Sequence, residues 1–258
     1  MKNKILFTLI ALFCFHNLSY SQIVEMKLLD KQLYNARIKL VDEFFDRFNL
    51  KELHPEQNLA DSNYKQNNLL ALFDYDYVLQ TKDSLGYSTI ILFIDKIIED
   101  NIKINYTDTN WTAVANCHGK FKGKNVEFKL YLNVENRRED MYKWVITKAE
   151  GDIFTLKPSL TSEKIMLGPD DHETNFMSLK RITTEKDDVI LNYKNKSFET
   201  DETSVFFALV HYGLLDIDFV SDLQFVFRQV PGYEFSIKDI SRETTNSGWL
   251  INSLKYVK

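Results

Sequence analysis

The chain has 258 residues, a formal charge of −5 and no basic block, which argues against a nucleic-acid partner. With 44 % hydrophobic and 27 % charged residues it can build a sizeable core and still present a folded surface to water. Two cysteines and 8 glycines leave little scope for a disulfide framework or for glycine-rich phosphate loops.

The first residues read MKNKILFTLIALFCFHNLSYSQ. Lys2 and Lys4 give a basic start, residues 5–15 are an apolar run, and Ser19 and Ser21 are small residues at the −3 and −1 positions of a cut before Gln22. This three-part pattern predicts a secretory signal peptide over 1–21, with a helix buried in the fold as the alternative. The apolar run is too short to cross a bilayer as a helix. Cys14 follows the bulky Phe13, where lipid attachment by the bacterial route wants a small residue, so ordinary cleavage is expected. The product would be exported to the periplasm or the cell exterior, with 237 residues and a charge of −7. No run after Gln22 is long enough for an integral membrane segment. Cys117 is then the sole cysteine. Its setting in TAVANCHG reads as a buried small side chain rather than a reactive thiol.

Residues 24–48, VEMKLLDKQLYNARIKLVDEFFDRF, carry apolar side chains in steps of three or four. One set is Leu29, Leu33, Ala36, Leu40 and Phe44; a second is Tyr34, Ile38, Val41, Phe45 and Phe48. The spacing predicts a long amphipathic helix that stops near Asn49. Its polar face mixes lysines with Asp42, Glu43 and Asp46, which speaks against a membrane-surface helix. A polar connector is expected over 50–68 and a second helix over NLLALFDYDYVLQ. A third, capped by Asp83 or Ser84, is predicted from Tyr87, Ile90, Ile91, Ile94, Ile97 and Ile98; the isoleucines leave a strand as the alternative.

The period changes after about residue 103. In NVEFKLYLNVE, Val126, Phe128, Leu130, Leu132 and Val134 face one way and Glu127, Lys129, Tyr131, Asn133 and Glu135 the other. WTAVANCHGKF before it and MYKWVITKAEGDIF after it complete an antiparallel meander, turning at KGKN and ENRRED. In the first of these strands Ala113, Ala115, Cys117 and Gly119 share a face, which suits either close helix approach or ligand space. A short helix is expected after Pro169, a strand over 186–198, and a helix opening near Asp201 or Thr203 and ending at Gly213. The closing block holds three strands. Pro231 and Gly232 in VPGY suit a type II turn, NSGW supplies the last turn, and a bulge around Lys238 and Asp239 would restore the alternation.

Together these elements predict an α+β protein, a single domain over 22–258. It is mainly helical over 22–102, antiparallel over 103–156, a mixed insertion with helices over 157–214, and antiparallel again over 215–258. Helices followed by a curved antiparallel sheet resemble the cone of the NTF2-like superfamily. The runs YKWVI, DDHETNF, VPGYEF and NSGWLI, with SYSQ at the cleavage region, also resemble uncharacterised exported proteins of Bacteroidota. That resemblance implies N-terminal helices packed on a curved sheet. Some NTF2-like members are isomerases or dehydratases using an Asp or an Asp/His pair inside the cone; others bind ligands or only assemble. No residue here matches those catalytic positions.

Two groups are candidate sites. Asp170, Asp171, His172 and Glu173 form the densest polar cluster; they could ligate a metal, or cap a helix by meeting its free N–H groups. Tyr233, Phe235 and Trp249 could wall a ligand pocket or fill the core. His54, His118, His172 and His211 fall in no recognisable nucleophile arrangement, and no cofactor motif is found. The expected function is a non-enzymatic ligand-binding or assembly protein of the periplasm or cell surface. An enzyme with acid/base residues in a cone pocket (isomerase, dehydratase or hydrolase) is one alternative. A subunit of a larger surface or mobile-element apparatus is the other.

Overall fold

The computed structural model describes residues 41–51, 62–81, 85–138, 141–155, 193–195, 197–241 and 246–257. The leader, the first part of the residue 24–48 helix, the Asp83 or Ser84 cap and the helix after Pro169 lie outside them. The described elements mix helices with one six-stranded antiparallel sheet of order β3-β2-β1-β4-β5-β6. The strands are β1 Trp111–Phe121, β2 Lys124–Arg138, β3 Met141–Glu150, β4 Leu215–Phe227, β5 Tyr233–Ile240 and β6 Gly248–Tyr256. Among the described residues four helices precede β1: α1 Val41–Phe48, α2 Ser62–Leu70, α3 Tyr75–Thr81 and α4 Leu85–Glu99. A fifth, α5 Glu202–His211, falls between β3 and β4.

The packing divides into two compact units: one of Met1–Thr112, Val134–Lys143 and Leu223–Lys258, the other of Ala113–Asn133 and Trp144–Asp222. In the first, α1 buries Val41, Phe44, Phe45 and Phe48, the i, i+3, i+4, i+7 face expected of an amphipathic helix. Asn49 ends it. Its side chain donates to the Ile104 carbonyl and accepts from the Ile104 N–H, both at 2.9 Å. Helix α4 buries Ile90, Phe93, Ile94 and Ile97, so packing overrides the weak helix propensity of isoleucine.

Two expectations change here. The connector expected over 50–68 is already helical from Ser62. The second expected helix is broken at Leu72–Asp74, where the backbone bridges to β6: Ile251 N–H donates to Leu72 O at 2.7 Å and Asp74 N–H to Ile251 O at 2.9 Å. Phe73, 2 % exposed, goes into the core at that break.

In the closing block, Tyr233 N–H donates to Val230 O at 3.0 Å and Gly232 takes a φ of +80°, as a type II turn on Pro231–Gly232 requires. Strand β5 pairs with β4 through Phe225 opposite Ile237 and Phe227 opposite Phe235. The register slip is not at Lys238 and Asp239. It lies between Ser236 and Ile237, whose partners in β6 are Ser253 and Ile251, so Asn252 of β6 is the added residue. Its side-chain oxygen accepts from the buried Ser236 hydroxyl at 2.9 Å, which satisfies a polar group that would otherwise be costly to bury.

In the second unit, Lys122 and Gly123 both take positive φ, 48° and 78°, which fits a two-residue β1–β2 hairpin turn of the twist-compatible kind. Phe128, Leu130, Ala149, Phe154, Phe206 and Leu215 are buried. Asp201 caps α5 by accepting from the N–H groups of Thr203 and Ser204, both at 3.1 Å. Gly213, at φ +65°, closes the other end, with Leu214 N–H on Leu209 O at 2.8 Å. Residues 193–195 and 197–198 form no strand, so the strand expected over 186–198 is absent from its described part.

Candidate functional site

A sheet buried on one face must carry its polar side chains on the other. On β1, Cys117 and Ala115 point inward, so Asn116 and His118 point outward; on β2, Phe128 is buried, so Glu127 and Lys129 flank it on the outside. These outward residues, with Ser221 of β4 and the turn after Glu150, line an open cleft of about 510 Å³. All of the cleft belongs to the second unit.

Its centre is a row of hydrogen-bonding groups across three strands. His118 Nε2 lies 2.9 Å from Ser221 Oγ, and His118 Nδ1 lies 3.5 Å from Glu127 Oε1. The imidazole stacks on Phe219, centroids 4.7 Å apart and planes within 9°. Ser221 Oγ also lies 3.3 Å from the Asn116 carbonyl, and Asn116 Nδ2 donates to Asp222 Oδ2 at 3.2 Å. The serine has one hydrogen and two acceptors within reach. If Nε2 is bare, Ser221 donates to it and Nδ1–H faces Glu127. If Nε2 carries the hydrogen, Ser221 accepts it and turns its own toward Asn116. A carboxylate beside Nδ1 favours the first tautomer.

The far end of the cleft is held by charge. Glu150 accepts from Lys148 and, at 2.7 Å, from the Tyr131 hydroxyl. The Lys148 hydrogen bond, then that of Tyr131, holds the Glu150 carboxyl below the usual carboxylate range. Burial, then the bond to Glu150, pushes the Tyr131 hydroxyl up to about 12. Burial alone pushes the Cys117 thiol up to about 11, so the one described cysteine is a packed side chain and not a nucleophile at neutral pH.

None of the expected site residues is among the described residues that line this cleft. Asp170, Asp171, His172 and Glu173 lie outside the described residues, and among the described residues no group of three or more His, Cys, Asp or Glu is placed to hold a metal. Tyr233, Phe235 and Trp249 are in the first unit, 6 %, 1 % and 2 % exposed. Their rings are enclosed by others: Tyr233 against Phe93 at 5.2 Å, Phe235 against Phe227 at 4.9 Å, Trp249 against Phe225 at 5.2 Å. The histidine arrangement is the finding that sequence reasoning missed. Antiparallel strands are expected over 215–258, but nothing in the sequence says that β4 lies beside β1, so Ser221 is not identifiable from it as the neighbour of His118. The apolar/acidic alternation of LDIDF, residues 215–219, is the local signal for the strand that starts at Leu215. Compared with protein-family models, curated proteins and solved structures, the chain matches none of them.

Proposed function

We propose that this chain is an exported ligand-binding protein that holds a small polar molecule in the open cleft over β1, β2 and β4. The observation that carries the reading is the cleft's chemistry. Within one volume of about 510 Å³ it offers an amide, a hydroxyl and an imidazole, a cation in Lys129 and carboxylates in Glu127 and Asp152. Groups of both signs beside neutral donors and acceptors suit a zwitterion or a polar neutral molecule better than an apolar one. The aromatic interior that holds Tyr233, Phe235 and Trp249 supports the same choice, since side chains already fill it. The signal pattern over 1–21 supports export. The four described helices before β1 and a bend-inducing bulge at Asn252 support the NTF2-like layout.

The test uses saturation-transfer NMR on the mature chain with a panel of free amino acids and neutral monosaccharides. Binding of at least one member, weakened by more than tenfold in Lys129→Ala and in Glu127→Ala, is the expected result. Binding that ignores both substitutions, or no binding across the panel, removes the cleft as the ligand site. Expression with the native N-terminus checks export: the exported chain should begin at Gln22.

The enzyme reading is favoured by one specific observation, the row that runs Ser221, His118, Glu127.

A further inference from the structure

The geometry points to a serine acyl-transfer centre on the open face of the sheet: Ser221 as nucleophile, His118 as general base, Glu127 as the residue that positions the imidazole, and Asn116 as oxyanion donor, acting on small carboxylic esters. The inference rests on the cleft being the ligand site. What carries it is the assignment of atoms. The serine oxygen meets Nε2 at 2.9 Å while the carboxylate meets Nδ1 at 3.5 Å. A base must take its proton through one ring nitrogen and be held in tautomer by an acid on the other. The strand order β2-β1-β4 sets this division, with Glu127 on one side of His118 and Ser221 on the other. The Nδ1 distance is long for a hydrogen bond, as such contacts often are before substrate is bound. The fourth member is on the same strand as the base. Asn116 uses one amide hydrogen on Asp222, 3.2 Å away, and is itself a lining residue of the same cleft. A side-chain amide at that position has a second N–H with which to meet an oxyanion.

The step balances without any further reagent. Ser221 Oγ forms a bond to the acyl carbon as its proton passes to His118 Nε2, and the carbonyl π pair moves onto the oxygen facing Asn116. The tetrahedral adduct collapses by breaking the bond to the alcohol, which leaves with the proton from Nε2. Water then attacks the acyl-serine in the same way, giving a carboxylic acid and free Ser221. Nothing is oxidised or reduced.

The row is open to solvent: the imidazole side chain is 33 % exposed and the Glu127 side chain 80 %. Screening therefore weakens the carboxylate's hold, and the gain expected from the base sits at the low end of what general bases supply, about 10²-fold.

The experiment uses the mature chain with 4-nitrophenyl acetate as substrate and a fluorophosphonate as active-site label. Peptide mapping should find the phosphonyl group on Ser221. Nitrophenolate release should fall to the buffer rate in Ser221→Ala and by about 10²-fold in His118→Asn. Glu127→Gln should cost about tenfold and also change the pH profile of the rate, which loss of a merely structural contact would not do; Asn116→Ala should lower kcat more than it alters KM. Ser221→Ala removes one exposed oxygen, so it carries the test even if His118→Asn, which also loses the stack on Phe219, fails to fold. Release unchanged in Ser221→Ala, or no release together with no label on Ser221, overturns the inference. Acetanilide separates the two readings. Amide shifts at Asn116, His118 and Glu127 on adding it, without ester turnover, would sink the catalysis and leave the binding site standing; no turnover, with no shifts from acetanilide or from any member of the amino-acid and monosaccharide panel, would sink both.

Discussion

Phe235→Ala is the perturbation that best separates a packed interior from a ligand wall. The side chain is 1 % exposed and touches three rings: Phe48 at 5.7 Å, Phe93 at 5.4 Å and Phe227 at 4.9 Å. Its cross-strand partners are Phe227 on β4 and Leu254 on β6. Truncating a buried Phe costs about 3–5 kcal/mol, the larger values where the surroundings cannot collapse into the space. Rings held by three separate elements, α1, α4 and β4, collapse poorly, and each aromatic pair adds roughly 0.5–1.5 kcal/mol beyond area burial. The expected loss is therefore about 4–5 kcal/mol. With a urea m-value of about 3 kcal/mol/M, the midpoint would drop by roughly 1.5 M with m unchanged. Tryptophan fluorescence is the assay, because Trp111 and Trp249, 3 % and 2 % exposed, both sit in this aromatic unit. A loss below about 1.5 kcal/mol would refute the reasoning, since a residue lining solvent-filled space gives up little on truncation.

The second unit offers three further checks. A Cβ on Gly119 would stand 2.2 Å from the Asp216 carbonyl oxygen, a backbone atom that cannot swing aside; Gly119→Ala should cost about 1–3 kcal/mol in chemical denaturation, and a neutral result would contradict the close β1–β4 approach. With its thiol pushed up to about 11 and 2 % exposure, Cys117 should resist iodoacetamide at pH 8 in the native protein and alkylate fully in guanidinium, read peptide by peptide in mass spectrometry. The Asp201 carboxyl is held below its usual range by the Ser204 hydroxyl, then by the Thr203 N–H. A depressed value means stability present above the unfolded-state pKa and lost as pH falls through the folded one. Asp201→Ala should accordingly lower Tm at pH 7 by calorimetry, with the gap to wild type closing in acid; a gap independent of pH would show that the cap's charge is irrelevant.

What the sequence made legible follows from the range of the forces involved. Period-two alternation is local, so the strand over 111–121 and the one-face set Val126, Phe128, Leu130, Leu132 and Val134 could be read from the sequence; the structure buries Phe128, Leu130 and Val134 and leaves Val126 and Leu132 half-buried. The Asp201 cap and the Gly213 stop are local as well. Three features are not. The break at Leu72–Asp74 exists because β6 takes up those backbone groups, and Ile251 is far away in the chain. The alternation of β5 showed that a register break was needed but could not say which strand carried the extra residue; that depended on β6 accommodating Asn252. The third is the contact between Ser221 and His118, residues 103 apart, which needs β4 beside β1 in a known register. Neither residue has a composition or spacing that announces the other.

The last point bears on why the cleft should have a defined shape at all. Side chains on an open sheet face are usually mobile, and mobile groups make poor sites. On β1 and β2 each outward residue of the cleft is neighbour to an inward one that is locked. Asn116 and His118 sit either side of Cys117, and Glu127 and Lys129 either side of Phe128, whose ring meets Phe154 at 5.6 Å and Phe206 at 6.1 Å. Gly151, at the cleft's edge, comes so close to the Phe128 side chain that a Cβ there would lie 2.9 Å from it. The backbone under the row is therefore fixed from below by the second unit's own core. The strand period converts that fixity into a set spacing between His118 and Glu127 on the exposed side, and the 2.9 Å contact with His118 holds Ser221 to them. A site of this kind can be shallow and wet and still hold its groups in register, because the precision comes from the buried face and not from enclosure.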